Sequence, residues 1–173
     1  SEVPRDVMLG YRVMTKEIND ELNDPPTHIF LQSACGGFAA SVASSLRQYW
    51  GCRTPRVLIV ESEMAACLFD SAKANEVRRV SIKDETIMSG LSCGEPSEMA
   101  WQIISEETSD FLTIPDKIVA PTVRVLARPN GDDPLITFSF TVHMRAIHDT
   151  GNDTLLDFIG LGAGVGTMGA TTL

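Results

Sequence analysis

The residues best suited to chemistry are Ser33-Ala34-Cys35-Gly36-Gly37, which lie between the apolar run His28–Gln32 and an alanine-rich stretch. A strand that ends in glycines and feeds a helix gathers unpaired backbone N–H groups at the positive end of that helix. Glycine also lets a bound group approach the backbone closely. A turn of this kind can hold a phosphate without cationic side chains, and it can equally be a tight turn with nothing bound. A second glycine motif, Gly164-Val165-Gly166-Thr167-Met168-Gly169, has the GxGxxG form of a dinucleotide site. That chemistry needs a helix behind the motif and an acidic residue about 20 positions further on. Four residues follow Gly169 here, so a dinucleotide site is not expected.

The other reactive side chains are dispersed. Cys35, Cys52, Cys67 and Cys93 show no CxxC pairing, and reduced thiols are the expected state. His143 and His148 are five apart, one off the spacing that puts two ligands on one helical face, so no metal site is expected. A net charge of −9 argues against nucleic-acid and anionic-membrane surfaces. No apolar run reaches the ~18 residues of a membrane span. The cytoplasm is the expected compartment.

These residues need elements to position them. Val7, Tyr11, Met14, Ile18 and Leu22 form one stripe of an amphipathic helix over residues 5–22, with Pro4 suited to its first position. His28–Gln32 is too short for a helix and reads as a buried strand. Residues 38–50 read as a helix with Ala39, Val42, Ala43 and Leu46 inward. Pro55–Val60 predicts a second strand, residues 63–75 a helix, and Val77–Ile82 a weak third strand. Ser97 is suited to start a helix carrying Ala100, Ile103 and Ile104. Phe111–Ile114 predicts a further strand, and Asp116 is suited to cap a helix that Pro121 should kink or shift. This alternation predicts an α/β fold, a parallel or mixed sheet with helices on both faces. Residues 136–159 have weak strand features and no clear place in the alternation.

Four blocks, THIFLQSACGGFAASVA, PRVLIVESEMAACLFDSA, TIMSGLSCGEPSEMAWQII and VRVLARPNGDDPLI, closely resemble diaminopropionate ammonia-lyase. The resemblance includes VPRDVMLGYRVM and covers about residues 3–136, with Thr86–Trp101 as its most specific part. It implies the large domain of a fold type II, tryptophan-synthase-β-like enzyme that uses pyridoxal 5'-phosphate. It also implies an α,β-elimination that converts 2,3-diaminopropionate, a small amino-acid substrate, to pyruvate and ammonia.

Carried over residue by residue, the resemblance places the cofactor phosphate at Ser33, Ala34, Cys35, Gly36 and Gly37. Ala34 and Cys35 stand where the family usually has Gly and Val. It places Ser89, Gly90 and Leu91 near the cofactor ring. Glu61 also matches a family glutamate and reads as structural. The family's Schiff-base lysine lies upstream of the region that matches Ser1. Lys16, Lys73, Lys83 and Lys117 all read as solvated surface residues, so no catalytic residue is assigned. The expectation is residues 1–136 as the C-terminal portion of the cofactor-binding domain and residues 137–173 as a divergent glycine-rich tail. Such a chain is expected to be inactive alone, and oligomeric or missing an N-terminal half. A serine/threonine dehydratase-type lyase, a non-catalytic interaction module and a truncated product without a stable fold are the alternatives.

Overall fold

The computed structural model describes residues 2–126, 141–147, 153–159 and 170–172, with side chains over residues 4–122. Helix α1 (Glu2–Glu21) precedes strand β1 (His28–Gln32), helix α2 (Gly37–Trp50), strand β2 (Arg56–Ser62) and helix α3 (Cys67–Ala74). Helix α4 (Glu98–Glu107), strand β3 (Asp110–Ile114) and helix α5 (Val119–Leu126) follow. Three short 3₁₀ turns lie at Gly51–Arg53, Ser89–Leu91 and Asp116–Ile118.

The sheet is parallel in the order β1-β2-β3, with Ile29 paired to Val57 and Ile59 to Phe111. Alternation along the strands separates two faces. Ile29, Leu31, Val57 and Ile59 are buried in the main core with Leu46 of α2, Leu68 of α3 and Ile104 of α4. Phe30 and Leu112 point the other way and are 49% and 39% exposed. Because all three strands run in one direction, their carboxyl ends open on the same rim. In open parallel sheets ligands bind at that rim.

The predicted helices and strands appear, with four differences that have local causes. Helix α1 buries Met8, Thr15 and Ile18, while Val7 and Tyr11 of the predicted stripe are 53% and 37% exposed. Val7, Leu9 and Val13 make that helix apolar on several sides, so periodicity alone does not select the inner face. Contact with α2 selects it, through the Ser41 hydroxyl donating to the Met8 carbonyl and an edge-to-face pair of Tyr11 and Phe38. The predicted strand Val77–Ile82 forms no ladder; the segment is mostly exposed, and the Val80 N–H donates to the Gly94 carbonyl at 2.9 Å. The helix predicted over 63–75 starts later, at Cys67, because the chain first turns at Ser62, whose carbonyl accepts from the Ala65 N–H.

The fourth difference concerns Asp116. A 3₁₀ turn intervenes before α5, Pro121 falls in the first turn of that helix, and the Asp116 side chain caps neither element. Proline at the start of a helix removes no intrahelical bond, which is why its presence moves the boundary and does not break the helix.

Beyond α5 the described backbone holds three antiparallel strands, β4 (Thr141–Ile147), β5 (Asp153–Ile159) and β6 (Ala170–Thr172). The strand character of 136–159 is therefore realised in β4 and β5, outside the parallel sheet. Gly164–Gly169 and Pro134–Ile136 lie outside the described residues. No helix among the described residues is long and apolar enough to cross a membrane.

Candidate functional site

Strand β1 ends at Gln32, and the next four residues, Ser33 to Gly36, make the turn into α2. Each end of the turn is tied to a neighbouring element. The Ser33 N–H donates to the Val60 carbonyl at 2.9 Å, which continues the β1–β2 ladder by one step. The Ala34 carbonyl faces the Cys67 thiol at 3.6 Å, and the Cys35 carbonyl accepts from the Ser97 N–H at 2.8 Å. The Gly36 carbonyl accepts the first helical bond, from Ala40, at 2.9 Å. With these carbonyls occupied, the N–H groups of Gly37, Phe38 and Ala39 have no intrahelical acceptor, as at any helix start. No side-chain cap and no first-turn acid among the described residues answers the positive end of helix α2.

Two further features single out this turn. The Ser33 hydroxyl is buried and makes no hydrogen bond among the described residues. A buried hydroxyl without a partner is costly, so a ligand acceptor at the turn would remove a penalty. Gly36 has φ +100°, in the left-handed region. A Cβ built there would lie 3.0 Å from both Ala100 Cβ and Ile104 Cδ1. Gly36 therefore serves a backbone reversal and close packing on α4. Gly37 differs: it is the first residue of α2, and its Cβ would meet only Met8 Cγ, at 3.6 Å. The two glycines do not share the turning role expected of them.

The sequence reading put Ser33–Gly37 and Ser89–Leu91 in one site. The chain between Ser89 and Ser97 runs from the second group to the first. Ser89 and Gly90 are exposed and Leu91 is buried. Cys93 then lies beside Cys35, and its thiol donates to the Glu95 carbonyl at 3.3 Å. Burial, and to a lesser degree the Cys35 thiol, raise the Cys93 pKa above the ordinary thiol value. Burial and then the Glu61 carboxylate raise the Cys67 pKa. Neither thiol is the activated thiolate that nucleophilic chemistry requires. The neighbourhood of Cys35 and Cys93 was not visible in a spacing of 58 residues.

Gly94 fixes the middle of this loop. A Cβ there would lie 2.4 Å from the Val80 carbonyl oxygen, a contact with backbone that no rotamer relieves. Gly94→Ala is expected to lift the loop off residues 80–82 at a cost of about 2 kcal/mol. Hydrogen exchange checks it: the Val80 amide should lose protection while the β2 amides keep theirs.

Glu61 has a structural task at the end of β2. Its side chain is fully buried and accepts from the Leu68 N–H at 3.0 Å and the Phe69 N–H at 2.7 Å, which caps α3. The four lysines, Lys16, Lys73, Lys83 and Lys117, are all exposed. Lys16 pairs with Asp20, and Lys73 lies 4.2 Å over the Phe69 ring. No group of His, Cys, Asp and Glu suited to a metal is found among the described residues.

The profile of the pyridoxal-phosphate dependent enzyme family matches residues 4–131. The diaminopropionate ammonia-lyase of Salmonella typhimurium is 35% identical over 144 residues, covering 79% of this chain and 36% of that protein. The Escherichia coli enzyme of the same name is 31% identical over 139 residues. The crystal structure of the E. coli enzyme in complex with D-serine superposes with a TM-score of 0.69 at 30% identity, over 81% of this chain and 35% of that one. A fungal L-serine ammonia-lyase from Rhizomucor miehei, 22% identical with a TM-score of 0.64, shares the fold. The chain spans about 36% of the length of the first of these relatives.

Proposed function

The chain belongs to the pyridoxal-phosphate dependent enzymes, and from that membership we propose that it carries the phosphate-holding part of a diaminopropionate ammonia-lyase. The reaction would be α,β-elimination of 2,3-diaminopropionate to pyruvate and ammonia. When bound, pyridoxal phosphate supplies an electron sink for the charge left by the departing α-proton. In this proposal Ser33, Ala34, Cys35, Gly36 and Gly37 hold the phosphate. The donors are the Ser33 hydroxyl and the free N–H groups of Gly37, Phe38 and Ala39. Ser89, Gly90 and Leu91 line the ring side. The single observation that carries this reading is the buried Ser33 hydroxyl, without a hydrogen-bond partner among the described residues, beside an uncapped helix start.

The chain's own residues are assigned binding and not proton transfer. All four lysines are exposed, and a reactive lysine needs a desolvated site to lower its pKa. We assign the family's lysine to none of them, so this chain by itself is expected to bind without turnover. Residues 137–173 are a divergent glycine-rich tail in this proposal, supported by the family match ending at residue 131. The protein would act on a small amino acid in the cytoplasm as an oligomer. The D-serine in the E. coli structure supports the first point, and exposed Val7, Val13 and Phe30 support the last.

The test is titration of the chain with pyridoxal phosphate and with inorganic phosphate by equilibrium dialysis. Both should bind, and Ser33→Ala should weaken both about tenfold with an unchanged circular dichroism spectrum. Failure of wild type to bind either compound overturns the reading. The substrate is tested on the product of the complete coding sequence. Pyruvate should form faster from 2,3-diaminopropionate than from serine, and the reverse order would point to a dehydratase.

A further inference from the structure

The carboxyl ends of β1 and β3 both reach the rim where the turn lies. Residue Asp116 stands two positions beyond Ile114, the last residue of β3. Its carboxylate holds a distant piece of chain. One oxygen accepts from the Thr86 hydroxyl at 2.5 Å, and the other accepts from the Ile87 N–H at 2.8 Å. The bonds continue from there. The Met88 N–H donates to the Thr86 hydroxyl oxygen at 3.1 Å, and the Leu91 N–H donates to the Met88 carbonyl at 2.8 Å.

This chain of bonds fixes a specific arrangement. Thr86, Met88 and Leu91 are 4%, 2% and 4% exposed, so three side chains of the segment are anchored inward. Ser89 and Gly90, between two of those anchors, are held outward and exposed. From there the chain runs directly to the turn, where Cys93 meets Cys35 and the Ser97 N–H meets the Cys35 carbonyl at 2.8 Å. A group seated in the turn would lie near Cys93, two residues beyond this segment. The hydrogen bonds from Thr86 and Ile87 end on an ionised acceptor, which makes them stronger than neutral ones. Each spans about thirty residues, so they tie together pieces that local structure leaves independent.

We propose that Asp116 is a positioning residue, a latch that holds the Thr86–Leu91 segment so that Ser89 and Gly90 stay at the rim beside the cofactor ring. The assignment of the ring rests on the function proposed above; the latch itself does not. Asp116 touches neither the turn nor its N–H groups. It therefore acts on the part of a ligand that extends beyond the phosphate. Asparagine at this position keeps both contacts in neutral form, accepting from Ile87 through its oxygen and donating to Thr86 through its nitrogen.

The test compares wild type, Asp116→Ala, Asp116→Asn and Thr86→Val by two measurements on the full chain. Amide exchange at Ile87, Met88 and Leu91 should accelerate in Asp116→Ala, while β1 and β2 amides stay protected and Asp116→Asn stays near wild type. Affinity for pyridoxal phosphate should fall about tenfold in Asp116→Ala, whereas affinity for inorganic phosphate should not change. Thr86→Val should fall between the two. Equal loss of both ligands, or exchange spread through the sheet, would reduce Asp116 to general stability and overturn the proposal. If wild type binds neither compound, the cofactor reading fails and the amide-exchange result alone decides the latch.

Discussion

Replacing Gly36 with alanine is expected to destabilise the protein by about 4 kcal/mol, a fall in melting temperature of roughly 10 °C. Two independent penalties add at this position. The backbone has φ +100°, where an L side chain is strained. The added Cβ would also press on Ala100 Cβ and Ile104 Cδ1, each at 3.0 Å, with Leu68 Cδ1 at 3.5 Å. Ala100, Ile104 and Leu68 are fully buried, so none can retreat into solvent. The strain or the overpacking alone would cost about 2 kcal/mol. Gly37→Ala is the internal control. Its backbone is helical, its nearest neighbour is at ordinary contact distance, and its effect should stay within about 1 kcal/mol. Thermal denaturation of the two variants separates these causes. Equal stability of the two would show that the turn does not need its left-handed residue.

The second large effect is a dependence of stability on pH through Glu61. Burial raises its pKa from 4.5 to about 7, against the lowering effect of the Leu68 and Phe69 N–H groups. Asp70 nearby adds a smaller push in the same direction as burial. Between those two values the folded protein holds a proton that the unfolded chain has released. Stability therefore falls as pH rises across that window and is level on either side of it. The full change is about 3 kcal/mol. Glu61→Gln mimics the protonated acid and should remove this component. Urea denaturation at several pH values between 4 and 8 measures it as the difference between wild type and the Gln variant. A difference that does not change with pH would show that the folded carboxylate titrates normally. Glu61→Ala differs again, because it leaves two N–H groups at the start of α3 without an acceptor. Its cost relative to wild type should be largest below pH 4.5 and should shrink as pH rises to about 7, because only the wild type carries the titration.

The blocks that resemble the family and the alternating elements were legible in the sequence because both are local. The apolar run Ile29, Phe30 and Leu31 before a glycine turn specifies β1 wherever it packs, and Ser97 caps α4 through its own side chain, accepting from the Ala100 N–H. Strand–turn–helix order likewise required the turn at Ser33–Gly37. What the sequence left open depends on which distant chain arrives. The inner face of α1 was ambiguous among Val7, Met8, Leu9 and Val13 until α2 packed against Met8. Val77–Ile82 alternates like a strand and forms no ladder. The division of labour between Gly36 and Gly37 follows from where α4 crosses the turn.

Side-chain function shows the same divide. In sequence Asp116 has the type and place of a helix cap, and only the tertiary structure turns it toward Thr86, thirty residues upstream. Cys35 and Cys93 become neighbours only when Ser97 docks on the turn. The physical reason is reach: capping, turn chemistry and apolar periodicity act over a few residues, so the sequence alone determines them. Burial, close packing and hydrogen bonds between remote segments depend on the assembled sheet and helices, and tertiary structure decides those.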